Sequence, residues 1–225
     1  MKYEKLHEWN VSVEEAIKIQ NQLRSKIKLM PLKEEKIRYV AGVDLSFPEP
    51  NLGYAVIVVI DLFNMSIVEN VAAKEKVVFD YIPGLLAFRE GPVFLKAWEN
   101  LKTKPNLVVF DGHGIAHPRG LGIASHMGLW INLPTIGVAK SKLYGFYKGL
   151  QQAKWSEVPL LDPSGNQIGI VIRTKENADP IFVSPGHLCD LDSASKIVKK
   201  MCLENNRLPE PTRLAHLLTQ KIHRR

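Results

Sequence analysis

The chain reads as an α/β protein built on a mixed sheet, with an antiparallel start, parallel strands after it, and helices on both faces. Three observations predict this. Two apolar segments, 38–45 and 53–62, are joined by the turn-rich FPEPN at 47–51, which makes them antiparallel neighbours. The second of them, GYAVIVVIDL, is apolar almost throughout, as a central strand covered on both faces is. From residue 85 onward, helical and strand patterns alternate, the pattern of crossover units.

The elements follow in order. Ala16, Ile19, Leu23 and Ile27 make an i, i+3, i+7, i+11 stripe, which predicts a helix over 12–28. RYVAGVDL (38–45) and GYAVIVVIDL (53–62) are strands, and SIVENVAAKEKVVF (66–79) continues with strand character. After YIPG, the apolar positions Leu85, Phe88, Phe94, Leu95, Trp98 and Leu101 predict a helix over 85–101, bent or broken at Gly91-Pro92. NLVVF (106–110) is a short buried strand, a helix is expected over about 120–130, and PTIGVAK (134–140) is another strand. SGNQIGIVIRT (164–174) and PIFVSPG (180–186) are later strands, and helices are expected at about 191–203 and 211–222. No repeat or low-complexity tract interrupts this order, so one domain over 1–225 is expected.

Composition narrows the function classes. With 225 residues, 45% of them hydrophobic, the chain can bury a core without disulfides or metals to staple it. No apolar run reaches membrane-spanning length, and the polar, acid-containing MKYEKLHEWNVSVEEA is not a signal-peptide pattern. Cys189 and Cys202 match neither a zinc spacing nor a redox CxxC; they read as reduced thiols, and a cytoplasmic location is the expectation. A formal charge of +7 suits a polyanionic partner, although the basic residues are spread along the chain. They are densest around Lys199 and Lys200 and in the terminal KIHRR.

The chemistry concentrates at DGHGIAHPRGLGIASH, 111–126, which follows the strand NLVVF and holds three of the seven histidines. Asp111 opens it, Asp44 ends the first strand, and Glu90 lies in the helix before. An acid after a run of buried aliphatics is costly without a partner. One strand-end aspartate is more often a cap, or an ion-pair partner, here of Arg89 or Arg119. Two on different strands, with a helical acid nearby, point instead to a shared ligand. Clustered carboxylates repel unless something positive sits between them. Hard oxygen donors suit Mg²⁺, with Mn²⁺ as a substitute. Such an ion lowers the pKa of a water and steadies the leaving oxygen of a phosphodiester.

The histidines divide. His113, between two glycines, has no direction fixed by sequence. His117, before Pro118-Arg119, is exposed or faces the site, and His126 in a predicted helix is as readily a core residue. His216, one turn after Thr212, is a candidate ligand from the last helix; His7, His187 and His223 carry no chemical signal. HGIAH has the spacing of HExxH but lacks its glutamate and is flanked by Gly and Pro, which disfavours zinc. Lys140 ends the strand PTIGVAK and by pattern is a solvated lysine. Opposite two acidic strand ends, it would neutralise a scissile phosphate or orient the attacking water.

GVDLSF (42–47), YIPGLLAFREGP (81–92), VVFDGHGIAHPRGLGIASHMGL (108–129), PTIGVAKSKLYG (134–145), FVSPGH (182–187) and EPTRLAH (210–216) together resemble the endonuclease V family. The blocks keep the same order from about 38 to 220. The resemblance implies a ribonuclease H-like fold and Mg²⁺-dependent hydrolysis of nucleic acid at deaminated adenine, that is, inosine. The break would fall one nucleotide 3′ of the lesion and initiate repair. Asp44 and Asp111 would then hold metal, with Glu90 beside them, His216 near or on a second ion, and Lys140 on the phosphate.

The family's wedge, PYIP, reads DYIP at 80–83 here. Tyr81, with Ile82 and Pro83, would insert between bases while the lesion flips out. By composition alone Tyr81 is a packed turn aromatic, and the departure at Asp80 bears on the stiffness of the loop. Gly112 and Gly114 would let backbone close on a flipped base. Gly84, Leu85 and Leu143 would line the same pocket, and His117 would sit near the ions or the backbone. A base read by backbone N–H and C=O groups fits the hypoxanthine edge, which differs from adenine at O6 and N1–H.

Three functions compete on these residues: an inosine-directed endonuclease acting on DNA or RNA, a metal-dependent binding module that does not cut, and a small-molecule phosphohydrolase. Intact Asp44, Glu90 and Asp111 favour the first over the second; the basic balance and the YIP turn favour a polymer over the third.

Overall fold

Strands Tyr39–Glu49 (β1), Leu52–Asp61 (β2), Ser66–Lys76 (β3), Leu107–Phe110 (β4), Thr135–Ala139 (β5), Glu157–Leu161 (β6), Gln167–Ile172 (β7) and Ile181–His187 (β8) form one sheet in the order β3-β2-β1-β4-β5-β8-β7-β6. The structure is a computed structural model and describes residues 1–222; His223 and the end of the basic KIHRR lie outside the described residues. β1, β2 and β3 form an antiparallel meander, and β1-β4-β5 are parallel, as the sequence pattern predicts. The far edge differs, because β8, β7 and β6 return as a second antiparallel meander. β6 is absent from the sequence reading. It is five residues long and contains Pro159, which a strand tolerates at a sheet edge, where β6 lies.

The helices are Val13–Arg24 (α1), Leu86–Asn100 (α2), Ile123–Ile131 (α3), Leu191–Met201 (α4) and Glu210–Ile222 (α5). α1 starts where Ser12 accepts a hydrogen bond from Glu15 N, and stops at Arg24, so Ile27 packs from outside the helix. α2 runs uninterrupted through Pro92, where a break was expected; Val93, Phe94, Ala97 and Trp98 are fully buried beyond it, and their packing offsets the lost backbone bond. α3 begins three residues later than the pattern suggests, because Leu121 and Gly122 are still extended loop. β1 continues through Pro48 to Glu49, and the turn is confined to Pro50-Asn51.

Alternation along the strands sorts side chains between two cores. Ala41, Val43, Val108 and Phe110 face α2 and α3. Val40, Leu107, Val109, Ile136 and Val138 face α4 and α5. Side chains alternate with period two, so Asp44 follows the second set, onto the α5 side, where His216 and Thr219 meet it. β1 and β4 are paired in parallel with Val43 opposite Phe110, so the next residues, Asp44 within β1 and Asp111 just past β4, stand side by side. α5 seats tightly on β1: a Cβ at Gly42 would lie 2.1 Å from the Pro211 carbonyl carbon. That close approach brings His216 over Asp44. α1 packs across α2 and α3 through Ala16, Ile19 and Leu23; at roughly 1.5–3 kcal/mol for each large apolar side chain, this burial holds a helix too short to be stable alone.

Candidate active site

Three carboxylates, Asp44, Glu90 and Asp111, meet where β4 ends beside β1. Asp44 is buried in the middle of β1, not at its end as the sequence pattern predicts, because β1 continues in pairing with β2 to Glu49, beyond the last residue of the shorter β4. Burial holds its carboxyl above the usual range; a hydrogen bond from Thr219 opposes this, Asp111 adds to it, and His216 and Lys140 oppose it. Glu90 comes from α2, on the opposite side of the sheet. Its carboxyl is pushed up to about 8 by burial first, then by the Asp111 and Asp44 charges, with Arg89 pulling the other way. Lys140 forms an ion pair with Asp111, both side chains remaining partly accessible. His216 Nδ1 lies 3.4 Å from Asp44 Oδ1, and Gln220 Nε2 is 3.0 Å from its other ring nitrogen.

A pocket opens beside this cluster. Gly84, Leu86, Gly112, Ile123 and Leu143 form its walls, and Glu90 and Asp111 stand at one side. His113 also borders it; its Nε2 is buried without a protein partner, and burial lowers the imidazole to about 4. At the rim stands a tight turn. Leu85 N donates to Ile82 O (2.9 Å), Pro83 holds the second position, and Gly84 has φ +82°. Those are the residues a type II turn requires, since its third position has positive φ. Tyr81, just before the turn, is 69% exposed, which removes the reading of a packed turn aromatic. Arg89 holds the start of this segment, donating to Phe79 O at 2.9 Å and Pro50 O at 2.8 Å. It therefore does not serve as the ion-pair partner of a strand-end acid.

The sequence model of one protein family, Endonuclease V, matches residues 21–217. The chain belongs to the endonuclease V family. The Endonuclease V of Thermosipho melanesiensis is 50% identical over 222 residues, 99% of this chain and 96% of the relative. Among solved structures, the endonuclease V of Bacillus subtilis superposes with a TM-score of 0.93 at 32% identity, over 99% of this chain and 97% of that one. That of Ciona intestinalis, solved with a 24-mer DNA containing an inosine followed by a ribo-adenosine, matches with a TM-score of 0.84 at 30% identity, over 94% of this chain and 98% of that one. The mixed sheet is thus the ribonuclease H-like fold of endonuclease V proteins.

Against the expectations for an endonuclease V, most residues converge. Asp44, Glu90, Asp111, Lys140 and His216 lie together, and Gly84, Gly112, His117 and Leu143 border the adjoining pocket. Two do not. Leu85 is 1% exposed and packs with Phe79 and Phe88, and Leu86 takes the wall position in its place. Gly114 is buried against β8, its N–H donating to Ser184 Oγ at 2.8 Å, away from the pocket. His117 turns to the backbone: its Nε2 donates to Gly84 O at 2.9 Å, and its Nδ1 accepts from Arg119 N at 3.1 Å. His126 is fully buried, its Nε2 2.6 Å from His7 Nε2, in a cluster with Trp9, Phe88 and Trp130. Sequence reasoning missed Gln20 and His113 as neighbours of the pocket, and Arg119 as a hydrogen-bond partner of Gly84. Gln20 looks like any polar residue of an amphipathic helix, and no local signal marks it.

Among the described residues, no three His, Cys, Asp or Glu side chains converge into a ready-made metal cage. The donor chemistry nonetheless fits a hard dication. Asp44 and Glu90 are both held above their usual range by burial and then by the Asp111 charge, to which Asp44 adds at Glu90, and a dication would relieve this repulsion beside the Lys140–Asp111 pair.

Proposed function

We propose that this chain is a Mg²⁺-dependent endonuclease that recognises inosine in nucleic acid, DNA in preference to RNA, and hydrolyses a phosphodiester bond one nucleotide 3′ of the lesion, initiating repair. One adjacency carries the reading: a pocket with glycine walls runs directly into the carboxylates Glu90 and Asp111, and an exposed tyrosine stands at its rim. The inosine-containing DNA bound by the Ciona relative supports the same ligand class. The whole chain, 1–225, would act as one cytoplasmic unit that needs no protein partner.

Asp44 and Asp111 would hold the Mg²⁺, or Mn²⁺ in its place, with Glu90 beside them and His216 near a second ion. When bound, the ion supplies an activated water and charge for the leaving oxygen. The chain's own residues supply the rest. Tyr81 and Ile82 fill the gap left by an extruded base, and Pro83-Gly84 hold the turn behind them. Gly84, Gly112 and Leu143 enclose the base. The Lys140 ammonium, next to Asp111, offsets the negative charge that develops on the phosphate.

The test is one gel. An inosine-containing strand, as DNA and as RNA, is incubated with Mg²⁺, with Ca²⁺ and with EDTA. A nick in DNA with Mg²⁺, one nucleotide 3′ of the inosine, is expected. Cleavage of the RNA strand alone assigns an endoribonuclease, a reading favoured by the ribonucleotide after the inosine in the Ciona complex. Binding without a nick assigns a non-catalytic module, and no binding at all overturns the proposal.

A further inference from the structure

The Gly84 carbonyl accepts three hydrogen bonds. Gln20 Nε2 donates at 2.9 Å, Arg119 Nη2 at 2.6 Å and His117 Nε2 at 2.9 Å. A carbonyl oxygen has two lone pairs, so three donors over-determine the residue that closes the turn behind Tyr81. The donors are also tied to one another. Arg119 Nε donates to Gln20 Oε1 at 2.5 Å, and Arg119 N donates to His117 Nδ1. The second N–H of Gln20 reaches Leu121 O at 3.4 Å. Gln20 is 1% exposed and borders the pocket, yet its whole amide is engaged by protein. Both of its N–H donors are taken, so it has none left for a base.

Apolar packing repeats the arrangement. Ile19 and Leu23 of α1 share a cluster with Phe79 and Leu85, which flank the turn on either side, and Ile82 packs against the same cluster. The segment is thus fixed at both ends while its tip, Tyr81, stays exposed. A wedge that is rigid before binding loses less entropy when it inserts.

We infer that Gln20 and Arg119 are positioning residues: together they lock the Pro83-Gly84 turn, and so set the direction of Tyr81 and the width of the pocket between Gly84 and Gly112. The inference rests on the wedge reading of Tyr81 given above. Arg119 is only half-buried, so the rival role is a plain phosphate contact.

Gln20→Met and Arg119→Lys are made alone and on a Tyr81→Ala background, and melting temperatures are recorded. Binding is titrated with Ca²⁺ against a duplex carrying one inosine flanked by 2-aminopurine, and against its inosine-free counterpart. Each single variant is expected to weaken inosine binding by about tenfold, the scale of one lost buried hydrogen bond. The 2-aminopurine signal of unstacking should fall with it. Binding to the inosine-free duplex should hold, and the loss should fall on binding more than on the single-turnover nicking rate at saturating protein. On the Tyr81→Ala background the same changes should add little, because the residue they aim is gone. Losses that add fully to Tyr81→Ala, or that are equal on both duplexes, overturn the inference; the second pattern marks a phosphate contact. Wild-type protein that prefers inosine, with variants that match it, overturns the inference alone. Wild-type protein with no preference for inosine overturns the proposed function as well. If Gln20→Met does not fold, Arg119→Lys, at a half-buried position that keeps its charge, carries the test.

Discussion

His216 Nδ1 stands 3.4 Å from Asp44 Oδ1, joining the last helix to the first strand across 172 residues of sequence. With the Gln220 amide donating to His216 Nε2, the proton resides on Nδ1 and is directed at the carboxylate. The acid is therefore buried and oriented.

Asp44→Asn and Asp111→Asn should each abolish most cleavage with Mg²⁺ and leave the fold intact. Each change removes a negative oxygen donor from a site proposed to hold a dication, without altering side-chain volume. Nicking rate and melting temperature are measured together. Near-wild-type nicking by either variant would remove that residue from the set of metal ligands.

Lys140→Ala should slow the chemical step more than it weakens binding. The ammonium pairs with Asp111 and would act where negative charge develops at the phosphate. Single-turnover rates and equilibrium titrations separate the two effects. Equal losses in both would point to a plain phosphate contact.

In EDTA, the protein should lose stability as pH rises from about 4.5 to about 8, with Glu90 a main contributor. Its carboxyl titrates near 4.5 when unfolded and near 8 when folded, so the folded state binds the proton more tightly. The associated stability is complete below the lower value and lost as pH passes the upper one. Glu90→Gln should melt like wild type at pH 4 and above it at pH 8.5, while Mg²⁺ should stabilise wild type more at the higher pH. Parallel melting curves for the two proteins across this range would contradict the assignment.

Asp80→Pro should tighten binding to an inosine duplex by up to ~1 kcal/mol, the usual scale for a compatible Xaa→Pro change. Asp80 is exposed, and among the described residues neither its carboxylate nor its N–H has a hydrogen-bond partner, so proline costs no contact. The change also removes a negative charge beside Tyr81, where a phosphate backbone would pass. Tyr81→Ala should weaken binding and blur discrimination between inosine and normal sites. Both variants are titrated at one salt concentration with Ca²⁺. Unchanged affinity and selectivity in Tyr81→Ala would end the wedge reading.

The chain by itself determined a good deal of this. Period-two alternation is local, so the run from Val40 to Asp44 already placed its acid on a definite face of its strand. Asp111 and Lys140 directly follow the short apolar strands β4 and β5, as their patterns predict, whereas β1 runs on past Asp44 to Glu49, an extension made by its pairing with β2 and not by its own apolar run. The Pro83-Gly84 turn was equally visible, because turn chemistry depends on two adjacent residues. Tertiary structure decided whatever depends on which segments meet. β6 is a strand only because β7 offers it an edge, and Glu90 joins the two aspartates only because α2 ends its first turns above the strand ends. Leu85, the non-helical residue before α2, packs into the core, and Leu86, the first helical residue, takes the pocket wall. Gln20 shows the limit most plainly. Its partners, Gly84 and Arg119, lie 64 and 99 residues away, and a hydrogen bond between such positions leaves no trace in local pattern, since it is made by packing and not by propensity.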